Sequence, residues 1–469
     1  MTLSVQQRGS TFLVVVMCLL TLAICAPFSS HDWQRVVQIS VAVCAVVYGL
    51  CLPRADRCVD RPTAVGVLLI GVIGLASAVL AHQPVWALTE LALAISCCAI
   101  AVTFSRVRRK GDESLDRVLI LFVLLLCLIK SIQYLHAGIL AFSSGAAILD
   151  PDLLLSGFSN KRFYGQFQTF TLPLLALPLL ISTTSRTARA MVFALLCAWW
   201  LIAIAGGTRG TWLGMGIAGS MLVFFGASGR RWLAWQLAAL ACGLLLYWWV
   251  FSVLAGYLGL EVSNAAADRL TTSLSGRGPI WWQAWSMIVE RPWLGFGPMH
   301  FADIANDIAA HPHQALLQWA SEWGVPSALC VIVLVARASW ATVGVLRERA
   351  LSLAPVDLLR LCLFGALVGA LTQSMVDGVI VMPVSQLWLA LVVGWLMALH
   401  VWRTPPVAPA PIFYRTWLAA SVVAIGLLVF VATRDVPHLT QRSEHYMKLS
   451  DGHLQPRFWV QGVIALEKQ

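Results

Sequence analysis

The chain has 469 residues, of which 59% are hydrophobic and only 12% charged, with a mean hydropathy of +0.79. A soluble globular domain carries about 25% charged residues, so a soluble fold is excluded, and a barrel is excluded because the apolar runs do not alternate. The net charge of +10 sits mostly in short loops between apolar runs, where it orients membrane helices and forms no nucleic-acid footprint; no nucleic-acid partner is expected.

Apolar runs recur along the whole length, and each is long enough to cross a hydrocarbon core of about 30 Å. The expected spans are 11–28, 36–52, 64–81, 85–104, 117–141, 163–182, 188–206, 210–227, 232–255, 315–336, 357–380, 384–402 and 414–433. The expectation is an all-α fold, a polytopic membrane helix bundle of 12–13 spans with a helical outer loop. The first run follows Arg8 like a signal peptide, but so many similar runs follow it that it reads as an uncleaved first helix. Three stretches are expected: amino-terminal helices (1–141), a functional membrane core with its outer loop (142–385), and carboxy-terminal helices with a tail (386–469).

Basic residues set the orientation. Arg54, Arg57 and Arg61, then Arg106, Arg108, Arg109 and Lys110, then Arg186 and Arg189, Arg230 and Arg231, and Arg347 and Arg349 occupy alternate loops. Those loops are cytoplasmic, and so is the amino terminus. The outer side then receives 142–162, a tight turn at 207–209, the long loop 256–314 and the tail from 434, while the Pro-rich linker 404–411 stays inside. Eleven of the twelve cysteines lie in or beside apolar runs, where Cys acts as a small hydrophobe, so no disulfide and no Cys metal site is expected.

The outer loops are poor in positive charge, so the basic residues they hold stand out. Lys161 and Arg162 lie in SNKRFYGQ, Arg209 in GGTRGTW, and Arg269 and Arg277 in the long loop. Arg209 occupies a hairpin joined by Gly206, Gly207 and Gly210, at a depth where ionisable groups are costly and usually functional; the plainer reading is a snorkelling anchor. Arg277 stands between Gly276 and Gly278, and glycines let a backbone come close to a ligand. A helix start favours anions, and a guanidinium fork suits phosphate. The plainer reading is a solvated loop arginine.

From Pro279 to Gly297 the pattern fits an interfacial helix: Ile280, Trp281, Ala284, Trp285 and Ile288 repeat at helical spacing, with glycines after the stop. Next come His311 and His313, then Gln314, Gln318 and Glu322 at intervals of four. That spacing places the three on one face, which should line a cavity and not meet lipid. Asp377 lies near the outer end of its span, where it can position a basic partner or form a structural ion pair. Two loose metal patterns are weighed and not adopted: Asp150–Asp152, and the run His300, Asp303, Asp307, His311, His313, whose first three members share a helical face. Near the end, LQPRFWVQGV reads as an amphipathic element lying on the membrane.

There is no Walker A, GxSxG or dinucleotide fingerprint. The pieces FSNKRFYGQFQTFTLPLL, GGTRGTWLG, SGRGPIWWQAW, ERPWLGFGPMHF and HPHQALLQWASEWGVP occur in that order. Together they resemble the O-antigen ligase and polymerase superfamily of bacterial inner membranes over about residues 158–385. The resemblance implies an enzyme with a periplasmic active site. It would be an inverting, metal-independent glycosyltransferase, without cofactor, that moves O-antigen glycan from undecaprenyl pyrophosphate to lipid A–core and completes lipopolysaccharide. Membrane lipids surround it. It implies Arg209, Arg277 and His313 as catalytic groups. Lys161, Arg162, His311, Gln314, Glu322 and Asp377 are expected to bind substrate, and no metal ligand is expected. The family commonly has His-Asn where this chain has His313-Gln314. An O-antigen polymerase and a protein O-oligosaccharyltransferase share the donor half of such a site and are separated by their acceptor. A transporter of the same lipid-linked glycans should carry ionisable groups deep in several spans, whereas here they cluster at one face.

Overall fold

The computed structural model describes residues 5–51, 59–144, 148–151, 153–263, 276–401, 411–449 and 454–464. The expectations for Arg54, Arg57, Asp152, Arg269 and residues 404–410 concern positions outside that set. The fold is an all-helical membrane bundle. Its elements are α1 (Val5–Cys25), α2 (His31–Leu50), α3 (Arg61–Val79), α4 (Pro84–Lys110), α5 (Ser114–Ser143), α6 (Lys161–Leu175), α7 (Leu177–Leu180), α8 (Arg186–Ala205) and α9 (Arg209–Leu222). They continue with α10 (Gly226–Trp248), α11 (Ala255–Tyr257), α12 (Gly278–Glu290), α13 (Ala315–Trp323), α14 (Val325–Glu348), α15 (Pro355–Ser374), α16 (Pro383–Leu399), α17 (Pro411–Asp435) and α18 (Leu439–Leu449). Among the described residues, nine helices are long and apolar enough to cross a membrane, so the protein is multi-pass. A two-residue parallel pair, β1 (Ile148–Leu149) with β2 (Glu261–Val262), joins two loops on the site's side.

Side-chain caps start several helices: Ser30 accepts from the Trp33 amide, Asp60 from Thr63, Asn160 from Arg162 and Ser185 from Ala188. Each satisfies an amide that has no partner within its helix. At the opposite end of the bundle, arginines take up terminal carbonyls. Arg109 donates to Met397 O (2.7 Å), Arg360 to Leu399 O (2.8 Å), and Arg189 to Ile181 O and Ser182 O (3.0 and 2.7 Å). Arg109 and Arg189, two of the basic residues expected to face the cytoplasm, therefore also close helix ends, as does Arg360.

One buried cluster runs from Phe12 on α1 to Leu399 on α16, and α4 packs between α16, α17, α2 and α3. Helix α6 lies at its centre, buried from Phe163 to Leu175. The expected span 163–182 is not one helix. It ends early, with Pro173 inside it and Pro178 starting the next short turn. Its terminal carbonyls, which water cannot reach, are taken by Gln236 (to Leu172 O, 2.8 Å) and Trp232 (to Pro173 O, 3.1 Å).

The expected span 315–336 is also divided, into α13 and α14, at Gly324. Gly324 has φ +83, and a Cβ there would stand 2.2 Å from Trp293 O. The loop 291–297 wraps the break: Val325 N donates to Pro292 O (2.8 Å), Phe296 N to Ser321 O (3.0 Å) and Gly297 N to Glu322 O (3.0 Å). Gly324→Ala is therefore expected to destabilise the bundle by about 1–3 kcal/mol, read as a lowered melting temperature in detergent. An unchanged melting temperature would show that the break does not depend on this residue.

The outer loop contains the helix expected after Pro279. Ile280, Ala284 and Met287 of α12 pack on Phe301 and Ala309, while Trp282, Trp285 and Trp293 are exposed. Trp285 thus lies on the outer face, where its amphipathic ring suits an interface, and Met287 takes the inner position. The helix expected through Asp307 stops at Asp303 after a single 3-10 turn, so His300, Asp303 and Asp307 share no continuous face. The reading of LQPRFWVQGV as a surface element is corrected. Phe458 and Trp459 are each 1% exposed and pack with Trp86 and Leu428 inside the bundle.

Candidate active site

Four helix starts converge at one end of the bundle. Arg162 is the second residue of α6, beside Lys161, Arg209 is the first residue of α9, and Arg277 caps the start of α12. His313 and Gln314 immediately precede α13. The hairpin carrying Arg209 lies directly against α6, because a Cβ on Gly165 would meet the Thr208 hydroxyl at 2.4 Å and the Thr211 hydroxyl at 2.6 Å. Gly276 turns the chain into α12 with φ +73, whereas a Cβ on Gly278 would meet no atom of the described residues within 4 Å.

The electrostatics show which groups share this space. Burial, and then the like charge of Arg162, hold Arg277 below the usual arginine range; Asp377 opposes this and Arg209 adds to it. His313 is 8% exposed. Burial pushes its pKa down, Asp377 pulls it up, and Arg162 and Arg277 push it down again, for a net lowering. His311 is pushed well below its ordinary value by burial first, then by His313, Arg457, Arg162 and Arg277. Burial alone would raise Asp377, but His313, Gln166 and the Gly378 amide together hold it below the usual carboxylate range. Arg162, Arg209, Arg277, His311, His313 and Asp377 thus form one electrostatic group.

His313 is the best defined of these. Its Nδ1 lies 3.7 Å from Asp377 Oδ1. Its φ is +53, a left-handed conformation that costs a non-glycine residue about 1–3 kcal/mol. Surrounding contacts hold it there. Trp281 Nε1 donates to Pro312 O (3.0 Å), and the His313 amide donates to His311 Nδ1 (3.3 Å). The two rings meet edge to face at 4.1 Å. Because His311 Nδ1 accepts, the proton of that neutral ring sits on Nε2.

Two expected substrate contacts have other engagements. Gln314 uses its side-chain oxygen to accept from the Leu317 amide, capping α13. Glu322 is fully buried, accepts from the Phe301 amide (3.1 Å) and pairs with Arg457 at 2.7 Å. The one-face spacing of 314, 318 and 322 is real, but Gln318 and Glu322 meet Arg457 of the carboxy-terminal tail, while Gln314 Nε2 lies 4.0 Å from Met375 Sδ. In the run His300–His313, His300 accepts from the Gln83 amide (2.9 Å) and Asp303 pairs with His82 (3.1 Å). The eleven cysteines among the described residues are free thiols.

Other residues complete the site without having been singled out. Gln373 of α15 accepts from Thr169 (2.6 Å) and donates to Asp377 Oδ2 (3.4 Å). Gln166 accepts from Ser385 (2.6 Å) and, with His313, helps to hold Asp377 below the usual carboxylate range. Lys130, buried in α5, donates to Ser156 O (2.7 Å), and Gln34 donates to Gly157 O (2.8 Å), which pins the loop leading to Arg162. The sequence signal was available for these: polar or ionisable groups inside apolar spans are expensive and seldom idle.

No curated protein matches the chain. Residues 190–332 match the family model described as O-antigen ligase. That stretch holds Arg209, Arg277, His311 and His313 and leaves Arg162 and Asp377 outside, so the chain carries an O-antigen ligase family domain at the centre of this site.

Proposed function

We propose that the protein is a glycosyltransferase of the bacterial inner membrane that transfers O-antigen glycan from undecaprenyl pyrophosphate to lipid A–core at its periplasmic face. The observation that carries this reading is the convergence of Arg162, Arg209 and Arg277 around the His313–Asp377 pair. Arg162 and Arg209 stand in the first turn, and Arg277 at the N-cap, of helices of at least thirteen residues. Guanidinium forks and helix starts both favour anions, and a pyrophosphate at a sugar's anomeric carbon supplies two adjacent phosphates.

The chemistry follows from these roles. Asp377 faces His313 Nδ1 and orients the ring, leaving Nε2 to take the acceptor's hydroxyl proton. The acceptor oxygen forms a bond to the anomeric carbon as the bond from that carbon to the pyrophosphate oxygen breaks, and the leaving group keeps the electron pair. Its growing negative charge is met by the arginines, placed before the reaction begins. Attack opposite the leaving group inverts the anomeric centre. His311 supports the His313 backbone, and Lys161 adds positive charge at the α6 start. Guanidinium groups supply the charge stabilisation, so the reaction is expected to run without a metal.

The test is transfer by purified protein from undecaprenyl-pyrophosphate-linked glycan to lipid A–core, with excess EDTA and no nucleotide. The expected product is glycosylated lipid A–core. Lengthening of the donor lipid would make the protein a polymerase instead. Glycan on a pilin-like protein would make it a protein transferase, and dependence on restored Mg²⁺ or Mn²⁺ would overturn the metal-free mechanism.

A further inference from the structure

We infer that residues 454–464 form a strap that sets the register of the His313–Asp377 pair, with Arg457 as its positioning residue. The inference rests on the proposed site and extends it to a segment far outside the family match.

The side chain of Arg457 is fully buried. Its Nη2 lies 2.7 Å from Glu322 Oε2 and 3.5 Å from Glu90 Oε1. With its amide turned to suit, Gln318 accepts from Arg457 Nη1 and Nη2 at 2.6 and 3.0 Å. Arg457 therefore holds two successive turns of α13, the helix that begins just after His313. Glu322 in turn accepts from the Phe301 amide, so the loop leading to His311 is tied to the same point.

The backbone of the strap reaches the other half of the pair. Arg457 O accepts from Arg35 Nη2 (3.0 Å) and lies 3.2 Å from His31 Nε2, and Phe458 O accepts from Arg35 Nε (3.1 Å). Arg35 Nη2 also donates to Val381 O (2.8 Å), in the turn that carries Asp377. Arg457 and Arg35 thus bracket the pair, one through α13 and one through the 375–382 turn, and the strap is their common link. Its remaining ties fix it in place: Val460 N to Asp32 Oδ1 (2.7 Å), Trp459 Nε1 to Asp435 Oδ2 (2.9 Å), Gln455 Nε2 to Asn306 O (2.7 Å) and Ile464 N to Ala302 O (3.1 Å). A cover for the bundle would need only the apolar contacts of Phe458 and Trp459. A buried arginine across two carboxylates is costly unless well paired, and its geometry is what couples the two loops.

The test uses the full chain in lipid nanodiscs and two readouts: glycan transfer to lipid A–core, and the rate at which diethylpyrocarbonate modifies individual histidines, followed by mass spectrometry. His313 reports the site, and His400, at the opposite end of the bundle, reports global folding. Arg457→Gln is expected to lower transfer by about 10²-fold, the size of effect a small misplacement of reacting groups produces. His313 should be modified several times faster while His400 is unchanged. Arg457→Lys keeps a cation beside Glu322 but cannot bridge Glu322, Gln318 and Glu90 together, so it should show a weaker form of the same pattern. If Arg457→Gln exposes both histidines, Arg457→Lys decides: selective exposure of His313 supports the strap, and wild-type behaviour overturns it. Unchanged transfer and unchanged His313 protection in Arg457→Gln also overturn it. A wild type that transfers no glycan, with His313 still selectively exposed in Arg457→Gln, would remove the proposed function and leave the strap standing.

Discussion

Replacing His313 with alanine is expected to lower glycan transfer by about 10²–10⁴, the usual contribution of a positioned general base, while the melting temperature changes little. His313 lies at the edge of the core, and its left-handed backbone is a cost that alanine shares. A variant that keeps wild-type transfer would remove His313 from the chemistry. The pH profile tests the role more sharply. The base must be neutral, and burial with the nearby arginines lowers its pKa more than Asp377 raises it. Transfer should therefore be level through neutral pH and fall only on the acid side, below the ordinary histidine range. Asp377→Asn removes the group that raises the pKa, so the acid limb should move to lower pH, and the maximal rate should fall because the ring loses its orienting partner. Arg277→Ala removes a charge that lowers the pKa, so the limb should move up. Opposite shifts from the two variants would place both groups beside His313. Identical profiles would show that another group takes the proton.

Arg277→Ala should also lower the rate constant itself by about 10²–10³, since one preorganised donor at a developing negative charge is worth about 3–4 kcal/mol. The effect belongs in kcat more than in KM. Arg162 and Arg209 remain to hold the donor's ground-state charge, whereas the leaving group's extra charge appears only in the transition state. Arg277→Lys should recover little, because a point charge does not reproduce the planar fork. Single-turnover rates with pre-bound donor would separate the steps. A loss confined to donor affinity would assign Arg277 to binding alone.

Much of the architecture was legible in the amino-acid order. Hydropathy is a local sum, so runs of about twenty apolar residues in the chain announce a membrane bundle, and alternate loops rich in arginine give its expected orientation. The pieces that carry Arg209, Arg277 and His313 were legible too, because charge and glycine are conspicuous beside apolar spans. Spacing also placed Gln314, Gln318 and Glu322 on one face.

What that face meets was decided by the tertiary structure. Glu322 could have faced substrate, but it pairs with Arg457, which lies 135 residues further along the chain, and no local pattern encodes that distance. The 315–336 run looked continuous because Gly324 is apolar enough to pass. Only the Trp293 carbonyl at its flank shows why the helix must break there. The tail looked amphipathic, yet its aromatic side chains are covered by Trp86 and the core instead of lipid. Local composition determines whether a segment leaves water. Which buried charge meets which partner depends on long-range packing, because an ion excluded from water is stable only where another element brings it a counter-charge.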